Sequence, residues 1–359
     1  MSASNAPLNI LLLGASYGSL LASKLLFGDH SIHLVCLPAE AELINAEGFK
    51  VRLPVRGLNE PILLASKDLP GKVTAGPAQN VRPEDYDLVG LCMQEPQYKS
   101  DGVRQLLEAI GKSGIPCMSI MNMPPLPYLE RIPELDTKLL EPAYAEPRVW
   151  DAVKPENITL NSPDPQAIRP PDGKANELLV TLPTNFKCSR FEKDKDTAIL
   201  QRLEKDVADA RLNVGGEMIE LPVKLKVHDS IFVPLAKWSM LLAGNYRCIT
   251  PSGIRTAKEA VHTDIEESRS VYNFVFDLCV SLGANPADLV PFEKYAAAAE
   301  SLTRPASAAR ALNAGALNIE RADKLVQLIA RQKGKSHPVI DEIVALVDKK
   351  LADNRSKAT

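Results

Sequence analysis

The chain has 359 residues, a formal net charge of −3 and an isoelectric point near 6.0. This length is enough for two domains, and the near-neutral balance gives no electrostatic sign of a nucleic-acid or anionic-membrane partner. No apolar run reaches the roughly 18 residues of a membrane span, and the N-terminal MSASNAP lacks the basic and apolar regions of a signal peptide. We therefore expect a cytoplasmic protein that binds neither nucleic acid nor membranes.

The six cysteines and five histidines show no pattern typical of a metal site. The cysteines are scattered without a C-x-x-C pair and mostly have apolar neighbours, which favours buried reduced thiols. The histidines lack metal-ligand spacing, and no serine or cysteine nucleophile motif accompanies them. We expect no bound metal.

The chain begins with an apolar strand, NILLLG, which runs through a turn into a helix over residues 19–27. A strand that ends in glycine and is followed at once by a helix is typical of a dinucleotide-binding βαβ unit, where backbone amides approach a pyrophosphate. The usual G-x-G-x-x-G pattern is incomplete, because serines stand at its second and third glycine positions. The candidate cofactor-binding residues of this turn are Gly14, Ser16, Tyr17, Gly18 and Ser19.

The rest of the first half alternates strands with helices. SIHLVCL, YDLVGLCM and PCMSIMN are predicted strands, EAELINAEG and VRQLLEAIGKSG are predicted helices, and KVRL and PILLA are predicted to form an inserted hairpin. Apolar strands that alternate with helices predict a doubly wound parallel sheet covered on both faces. Residues 124–173 are proline-rich and poorly periodic, which indicates irregular connections. ELLVTLP and TAILQRLEKDVADA then predict a further strand and a helix.

From about residue 225 the sequence predicts helices only. Apolar residues recur at helical spacing in IFVPLAKWSMLLAGNY, AVHTDIEESRSVYNFVFDLCVSLGANP, ALNIERADKLVQLIARQKG and PVIDEIVALVDKKL. The predicted organisation is an α/β protein with a Rossmann-type dinucleotide-binding domain over residues 1–224 and an all-helical domain over residues 225–359.

This order of parts resembles the ketopantoate reductase (2-dehydropantoate 2-reductase) family, whose fold is related to that of 6-phosphogluconate dehydrogenase. The resemblance covers nearly the whole chain, although residues 124–176 are more than the family needs and single motifs depart from its pattern. It implies an oxidoreductase that uses NADP, with NAD as the alternative, and reduces a small 2-oxo acid or related carbonyl. It also implies a homodimer formed through the helical domain.

The resemblance identifies Lys237 as the candidate general acid. Lys237 is the one cation within the otherwise apolar IFVPLAKWSMLLAGNY, and a family lysine at this place protonates the carbonyl oxygen being reduced. A family asparagine two turns later holds the substrate. Asn245 follows Lys237 by eight residues, which puts both on roughly the same face of a regular helix. The alternative is a lysine that snorkels at the edge of a helix.

Further positions resemble family site residues. Asn122, at the end of PCMSIMN, matches an asparagine beside the nicotinamide, although Met123 replaces the glycine that follows it; a turn cap is the alternative. In RPASAARALNAGALNIERADKL, Ser307 aligns with a residue for the substrate carboxylate. Either Asn318 or Glu320 aligns with the ligand of the substrate hydroxyl. A solvated helix position is the alternative for Glu320.

The main departure from the family concerns its cationic contacts to the cofactor. Leu37 stands where the family has an arginine after the second strand, Glu40 is the nearest acid, and Gln94 replaces a lysine. Two lost charge-assisted contacts of about 1.5–3 kcal/mol each would weaken binding by a factor on the order of hundreds. The cations that could compensate are Lys24, Arg52 and Lys99.

Two other functions remain open. An opine-dehydrogenase-like enzyme has the same two-domain plan but uses a His–Asp pair in the helical domain. His262 and Asp264 are the candidates here, but they are too close together in sequence to form such a pair well. A relative without catalytic activity, serving as a sensor or scaffold, is favoured by the departures at Ser16, Leu37, Gln94 and Met123.

Overall fold

The computed structural model describes residues 6–170 and 172–358, which form two compact units. The first unit contains the described part of Met1–Met93, Gln97–Met121 and Val149–Asp229, and the second contains Gln94–Pro96, Asn122–Arg148 and the described part of Ser230–Thr359. The sequence predicted one division, between residues 224 and 225, whereas contacts within the structure assign two short segments of the first half to the second unit. The first five residues of MSASNAP lie outside the described residues.

The strands of the first unit are short. In chain order they are β1 (Asn9–Leu13), β2 (Ser31–Val35), β3 (Lys50–Leu53), β4 (Ile62–Ala65), β5 (Lys72–Gly76), β6 (Leu88–Leu91), β7 (Cys117–Ile120), β8 (Ile158–Ser162), β9 (Gln166–Ile168), β10 (Glu177–Leu182), β11 (Phe186–Ser189), β12 (Arg211–Val214), β13 (Glu217–Glu220) and β14 (Leu225–His228). The second unit adds the two-residue strands β15 (Ile249–Thr250) and β16 (Gly253–Ile254).

The α-helices belong to both units. In chain order they are α1 (Ala15–Leu25), α2 (Pro38–Glu47), α3 (Val103–Ser113), α4 (Leu126–Leu129), α5 (Asp194–Asp209), α6 (Lys237–Met240), α7 (Ala257–His262), α8 (Ile265–Ser281), α9 (Phe292–Ala299), α10 (Ser307–Asn313), α11 (Ala322–Gln332) and α12 (Pro338–Ala358). Among the described residues, no helix combines the length and the apolar composition needed to cross a bilayer.

Eight strands of the first unit form one sheet in the order β14-β11-β8-β7-β6-β1-β2-β5. All neighbours from β5 to β8 are parallel, and their order is that of a Rossmann fold, with the strand order reversing beside β1. β6, β7 and β8 are buried along their whole length, which is typical of parallel strands covered on both faces. The predicted doubly wound sheet is confirmed.

Three strands correct the sequence-based interpretation. β8 is a fully buried strand inside the region predicted to be irregular. β11 pairs antiparallel to β8, so the sheet is not wholly parallel. β14 lies in the region predicted to contain only helices, and it extends the sheet of the first unit by pairing with β11. The sequence did not predict these three strands, because an apolar run of four or five residues is too short to show the period of a strand.

The predicted hairpin of KVRL and PILLA is confirmed as the antiparallel pair β3–β4, but it belongs to a larger sheet with the order β4-β3-β10-β9. β10 pairs parallel to β3, and β9 pairs antiparallel to β10. The apolar side chains of Val51, Leu53, Leu178 and Val180 are buried in the core of the first unit, where β3 and β10 contact α1. Part of the extra length in residues 124–176 therefore forms strand β9.

The second unit is mainly helical. Its residues 234–248 change from a 3-10 turn to α6, then to a π turn over Leu241–Asn245, then to another 3-10 turn. The π turn contacts α7, α8 and α11. The predicted regular helix over IFVPLAKWSMLLAGNY is therefore irregular, and the long predicted helix that follows is divided at Asp264, which caps α8 by accepting from the Glu267 N–H. All six cysteines are free thiols and five are buried, as predicted.

Candidate active site

The turn after β1, in the first unit, has the geometry of a nucleotide-binding loop. Gly14 has a φ of 102°, and a Cβ at this position would lie 2.6 Å from Cγ of Met93, so that the turn requires glycine. α1 begins at the next residue, Ala15, and its N-cap residue, Gly14, makes no side-chain capping hydrogen bond. Backbone N–H groups at such a helix start are available to a phosphate, so the turn fits a dinucleotide.

Gly18 stands one residue before the third glycine position of the fingerprint, which Ser19 occupies, and the structure shows what Gly18 does there. A Cβ at Gly18 would lie 3.2 Å from Cδ2 of Leu34 and 3.6 Å from Cβ of Leu12. In the G-x-G-x-x-G pattern the third glycine allows close packing of the helix on the strands. Gly18 performs this packing one position early, next to the buried Ser19, while Ser16 is exposed.

The end of β2 holds an ion pair that sequence reasoning missed. Leu37, at the family's arginine position, is 76% exposed. Arg169, which follows β9, pairs through Nη2 with Oε1 of Glu40 in the first turn of α2. The hydroxyl of Tyr17 donates to the carbonyl of Pro165 at 2.7 Å, so the segment before β9 is also joined to α1. No pattern in the sequence indicates these contacts, because they depend on the pairing of β9 with β10.

Two of the three cations expected to compensate at the cofactor site have other partners. Lys24 is fully buried and donates from Nζ to the carbonyl of Pro222 at 2.9 Å. Arg52 on β3 pairs with Glu177 on β10 at 3.2 Å. Burial makes Lys24 a structural residue of the first unit. Compensation by Arg52, whose side chain is 53% exposed, stays a prediction.

A small pocket within the second unit brings together five of the residues selected from the sequence, which are Gln94, Asn122, Asn245, Ser307 and Glu320. Its other lining residues are Leu241, Tyr246, Ala308 and Ile319. The five lie in five separate segments, which are those after β6 and β7, the π turn, the start of α10 and the residues before α11. Lys237 and Asn318 do not line the pocket.

Glu320 is held in this pocket by two contacts. Nδ2 of Asn122 donates to Oε2 of Glu320 at 3.0 Å. The hydroxyl of Tyr246 donates to the main-chain carbonyl of Glu320 at 2.5 Å and accepts from the N–H of Ala322 at 3.0 Å. Glu320 is 6% exposed and precedes α11, so the alternative of a solvated helix residue is wrong.

The electrostatic environment of Glu320 includes Lys237. Burial raises the pKa of the Glu320 carboxyl, and the net shift is upward. It is opposed by the hydrogen bond from Asn122, by the backbone N–H groups of Glu95 and Met123, and by the positive charge of Lys237. Lys237 is half-buried at the start of α6. The candidate general acid therefore lies within electrostatic range of the pocket carboxylate.

Two buried acceptors in the pocket lack a partner. Over the described part of the chain, Oδ1 of Asn122 and Oε1 of Glu320 have no hydrogen-bond partner. A buried acceptor without a donor costs about 1–3 kcal/mol, so such atoms are rare in folded proteins. Two of them, on residues that contact each other, mark a place where a ligand can donate a hydrogen bond.

The structure distinguishes the two positions that the sequence left open. Oδ1 of Asn318 accepts from Nη2 of Arg355 at 3.2 Å, away from the pocket. Glu320 lines the pocket instead. Ser307 also lines it, at the exposed first residue of α10.

Asn245 occupies the last position of the π turn. The turn needs glycine at Gly244, where a Cβ would lie 1.9 Å from the hydroxyl of Tyr295, and this hydroxyl donates to the carbonyl of Met240 at 3.2 Å. π turns within helices are frequent at functional sites. The predicted common face of Lys237 and Asn245 assumed a regular α-helix, and the wider turn between them replaces that geometry.

Sequence reasoning missed Tyr246 as a pocket residue. Burial raises the pKa of its hydroxyl well above the usual range, which keeps the hydroxyl protonated as a donor to Glu320. The sequence did contain a signal for this residue, because Tyr246 directly follows Asn245 in an apolar segment. A buried tyrosine hydroxyl needs a hydrogen-bond partner, so a polar site beside it could be expected.

The structure gives no support for a His–Asp pair of the opine-dehydrogenase type. Nε2 of His262 lies 3.1 Å from the carbonyl of Ala296, and Asp264 caps α8. Neither residue lines the pocket.

No protein-family model matches the sequence, and no curated protein matches it. Solved structures do resemble it. The 2-dehydropantoate 2-reductase of Methylococcus capsulatus aligns with a TM-score of 0.64 and 14% identity, covering 97% of this chain and 98% of that one. Dimeric ketopantoate reductase from Staphylococcus aureus aligns with a TM-score of 0.60 and 11% identity, covering 97% and 100%.

A third structure is a D-mandelate dehydrogenase in a ternary complex with NADH and anilino(oxo)acetate. It aligns with a TM-score of 0.62 and 14% identity, covering 97% of this chain and 99% of that one. The predicted resemblance to ketopantoate reductases, with a Rossmann-type first domain and a helical second domain, is confirmed at the level of the fold.

Proposed function

We propose that the protein is a nicotinamide-dependent reductase of a small 2-oxo acid or related carbonyl compound. The observation that carries this proposal is the Asn122–Glu320 pair, with its two unpartnered buried acceptors and the nearby charge of Lys237. The fold supports it, because similar structures include ketopantoate reductases and a dehydrogenase bound to NADH.

The proposed cofactor is NADP, with NAD as the alternative, and when bound it supplies the hydride. Gly14 permits close approach of the backbone to the pyrophosphate, and the start of α1 offers N–H groups and the positive end of the helix dipole. Ser16, Tyr17, Gly18 and Ser19 lie at the start of α1 and stay predictions as cofactor-binding residues. Leu37, Gln94 and Asn122 remain predictions as cofactor contacts.

Glu320 and Asn122 are proposed to bind a hydroxyl group of the substrate, separate from the carbonyl that is reduced. Their free acceptors suit the hydroxyl proton, and this match would be lost with a ligand lacking the hydroxyl. Asn245 and Ser307, from two other parts of the pocket lining, are proposed to contact the remaining substrate oxygens.

Lys237 is proposed to protonate the oxygen of the carbonyl that is reduced. A fixed cation stabilises the negative charge on that oxygen during reduction, and a positioned proton donor contributes about 10²–10⁴-fold to a rate. Glu320 is proposed to place a carboxylate within electrostatic range of the ammonium group of Lys237.

The test is to titrate the purified protein with NADPH and NADH by fluorescence and then to screen turnover of 2-oxo acids with both nucleotides. We expect binding of at least one nucleotide well below millimolar concentration and turnover of at least one 2-oxo acid. Binding without turnover of any carbonyl substrate would favour a non-catalytic relative, and absence of binding would contradict the reductase.

A homodimer is part of the proposal, since one similar structure is described as dimeric. Light scattering coupled to gel filtration distinguishes a dimer from a 39.1 kDa monomer.

A further inference from the structure

The end of β2 is the place where Rossmann folds distinguish their two nicotinamide cofactors. An acidic residue there binds the ribose 2′-hydroxyl of NAD, and an arginine nearby accommodates the 2′-phosphate of NADP. Leu37, the second residue after β2, offers neither group. The charges at this end of the sheet come instead from Glu40 and from Arg169, which lies more than a hundred residues further along the chain.

Arg169 reaches this place because β9 is held in a sheet. β9 pairs with β10, β10 pairs with β3, and β3 follows α2. Arg169 pairs with Glu40 at the start of α2, and Nζ of Lys174 lies 2.7 Å from Oε1 of Glu47 at the end of α2. The guanidinium of Arg169 is therefore positioned by the fold of the first unit alone.

The effect of both charges on Cys36 locates the pair at the end of β2. Burial raises the pKa of the Cys36 thiol to about 12, Glu40 adds to this rise, and Arg169 opposes it. Cys36 is the residue that directly follows β2. The carboxylate and the guanidinium therefore both lie within electrostatic range of the position that meets the ribose in a Rossmann fold.

The two charged groups differ in exposure. The side chain of Arg169 is 47% exposed, whereas that of Glu40 is 11% exposed. Within residues 6–170 and 172–358, the contact with Glu40 uses Nη2 of Arg169, and neither Nε nor Nη1 has a hydrogen bond. A ligand arriving from solvent meets the guanidinium, with donors still available, rather than the carboxylate.

We propose that Arg169 is the cation that binds the 2′-phosphate of NADP, and that Glu40 is a positioning residue that holds the guanidinium at the end of β2. The inference rests on the proposed function, because it assumes that the turn at Gly14 binds a dinucleotide. A guanidinium suits a phosphate because it donates two parallel charge-assisted hydrogen bonds. Arg169 thus replaces the arginine that is absent at position 37.

The test is the affinity of wild type and Arg169→Gln for 2′,5′-ADP, 5′-AMP, NADPH and NADH, measured by calorimetry. We expect Arg169→Gln to bind 2′,5′-ADP and NADPH about ten- to a hundredfold more weakly, the range of one charge-assisted contact, with 5′-AMP and NADH unchanged. Arg169→Lys should show a smaller loss, because it keeps the charge and loses the paired donors. Lys174→Gln is the matched control, since it removes the other ion pair to α2, and it should change none of the four affinities.

The role of Glu40 is tested by the ratio of the NADPH and NADH affinities. Glu40→Ala should reduce this ratio, and Glu40→Gln, whose side-chain oxygen still accepts from Arg169, should restore it. An equal loss of affinity for all four ligands in Arg169→Gln, or the same loss in Lys174→Gln, would show a structural role and overturn the proposal. Wild-type protein that binds NADH more tightly than NADPH would overturn it while leaving the reductase intact, and binding of neither nucleotide would contradict both.

Discussion

Nδ2 of Asn122 donates to Oε2 of Glu320 at 3.0 Å and joins residues 198 positions apart in the chain. Each partner keeps one buried acceptor without a donor. Two unpartnered buried acceptors lower the stability of the folded state. Natural proteins tolerate such a loss mainly at functional sites, where a ligand supplies the missing donor. The predictions below begin with this pair.

Replacing Glu320 by glutamine tests the carboxylate. Glu320→Gln preserves an oxygen that accepts from Asn122 but removes the negative charge near Lys237. We expect kcat/KM for the best 2-oxo acid to fall by roughly a hundredfold, the size of the loss when one preorganised group is removed from a site. Nucleotide affinity should be unchanged. Asn318→Ala, two residues away and bound to Arg355, is the control and should retain wild-type kcat/KM.

Replacing Lys237 by methionine tests the proton donor. Methionine keeps most of the apolar stem, so the fold of α6 should persist while turnover falls about 10²–10⁴-fold. Lys258→Met removes a lysine that is paired with Glu300 on the surface of the same unit, at 2.8 Å, and should leave turnover unchanged. Steady-state kinetics with saturating nucleotide measures both variants. An unaltered rate in Lys237→Met would exclude Lys237 as the acid.

The buried Lys24 makes stability depend on pH. Desolvation lowers its pKa from 10.5 to about 7, so between these values the unfolded chain binds more protons than the folded one. The contribution of Lys24 to the free energy of unfolding therefore rises with pH across this window, by up to about 1.4 kcal/mol per pH unit, and it levels off below pH 7, where both states are protonated.

Lys24→Met should remove this contribution, so the difference in free energy of unfolding between wild type and variant should rise from pH 7 to pH 10 in urea titrations. The exposed Lys112, paired with Glu108 on α3, provides the control variant Lys112→Met, which should keep the wild-type slope. Parallel curves for wild type and Lys24→Met would contradict the shifted titration.

Gly14→Ala tests the nucleotide turn. An alanine at a φ of 102° is strained, and its Cβ would meet Met93 at 2.6 Å. We expect a loss of about 1–3 kcal/mol in the free energy of unfolding and at least tenfold weaker nucleotide binding. Gly57 has a φ of 91° with no atom near its Cβ position. Gly57→Ala therefore reports backbone strain alone, and it should keep nucleotide affinity.

Much of the fold follows from local sequence patterns. The apolar strand before Gly14, the helix after it and the alternation through PCMSIMN predict a Rossmann sheet, because buried parallel strands and amphipathic helices have distinct periods. β8 and β14 were not predictable in this way, because each is a short run whose partner strand lies far away in sequence. Their state depends on pairing across the sheet, which no window of the sequence contains.

The same distinction between local patterns and long-range contacts applies to the candidate site. The sequence by itself determined the nucleotide turn at Gly14 and the residue types of the pocket, because glycine at positive φ and polar residues in apolar segments are local signals. Only the tertiary structure decided that Glu320 and not Asn318 lines the pocket, that Tyr246 holds it, and that Arg169 lies at the end of β2. These relationships arise from contacts between distant segments, and burial and charge at one residue depend on what the fold brings beside it.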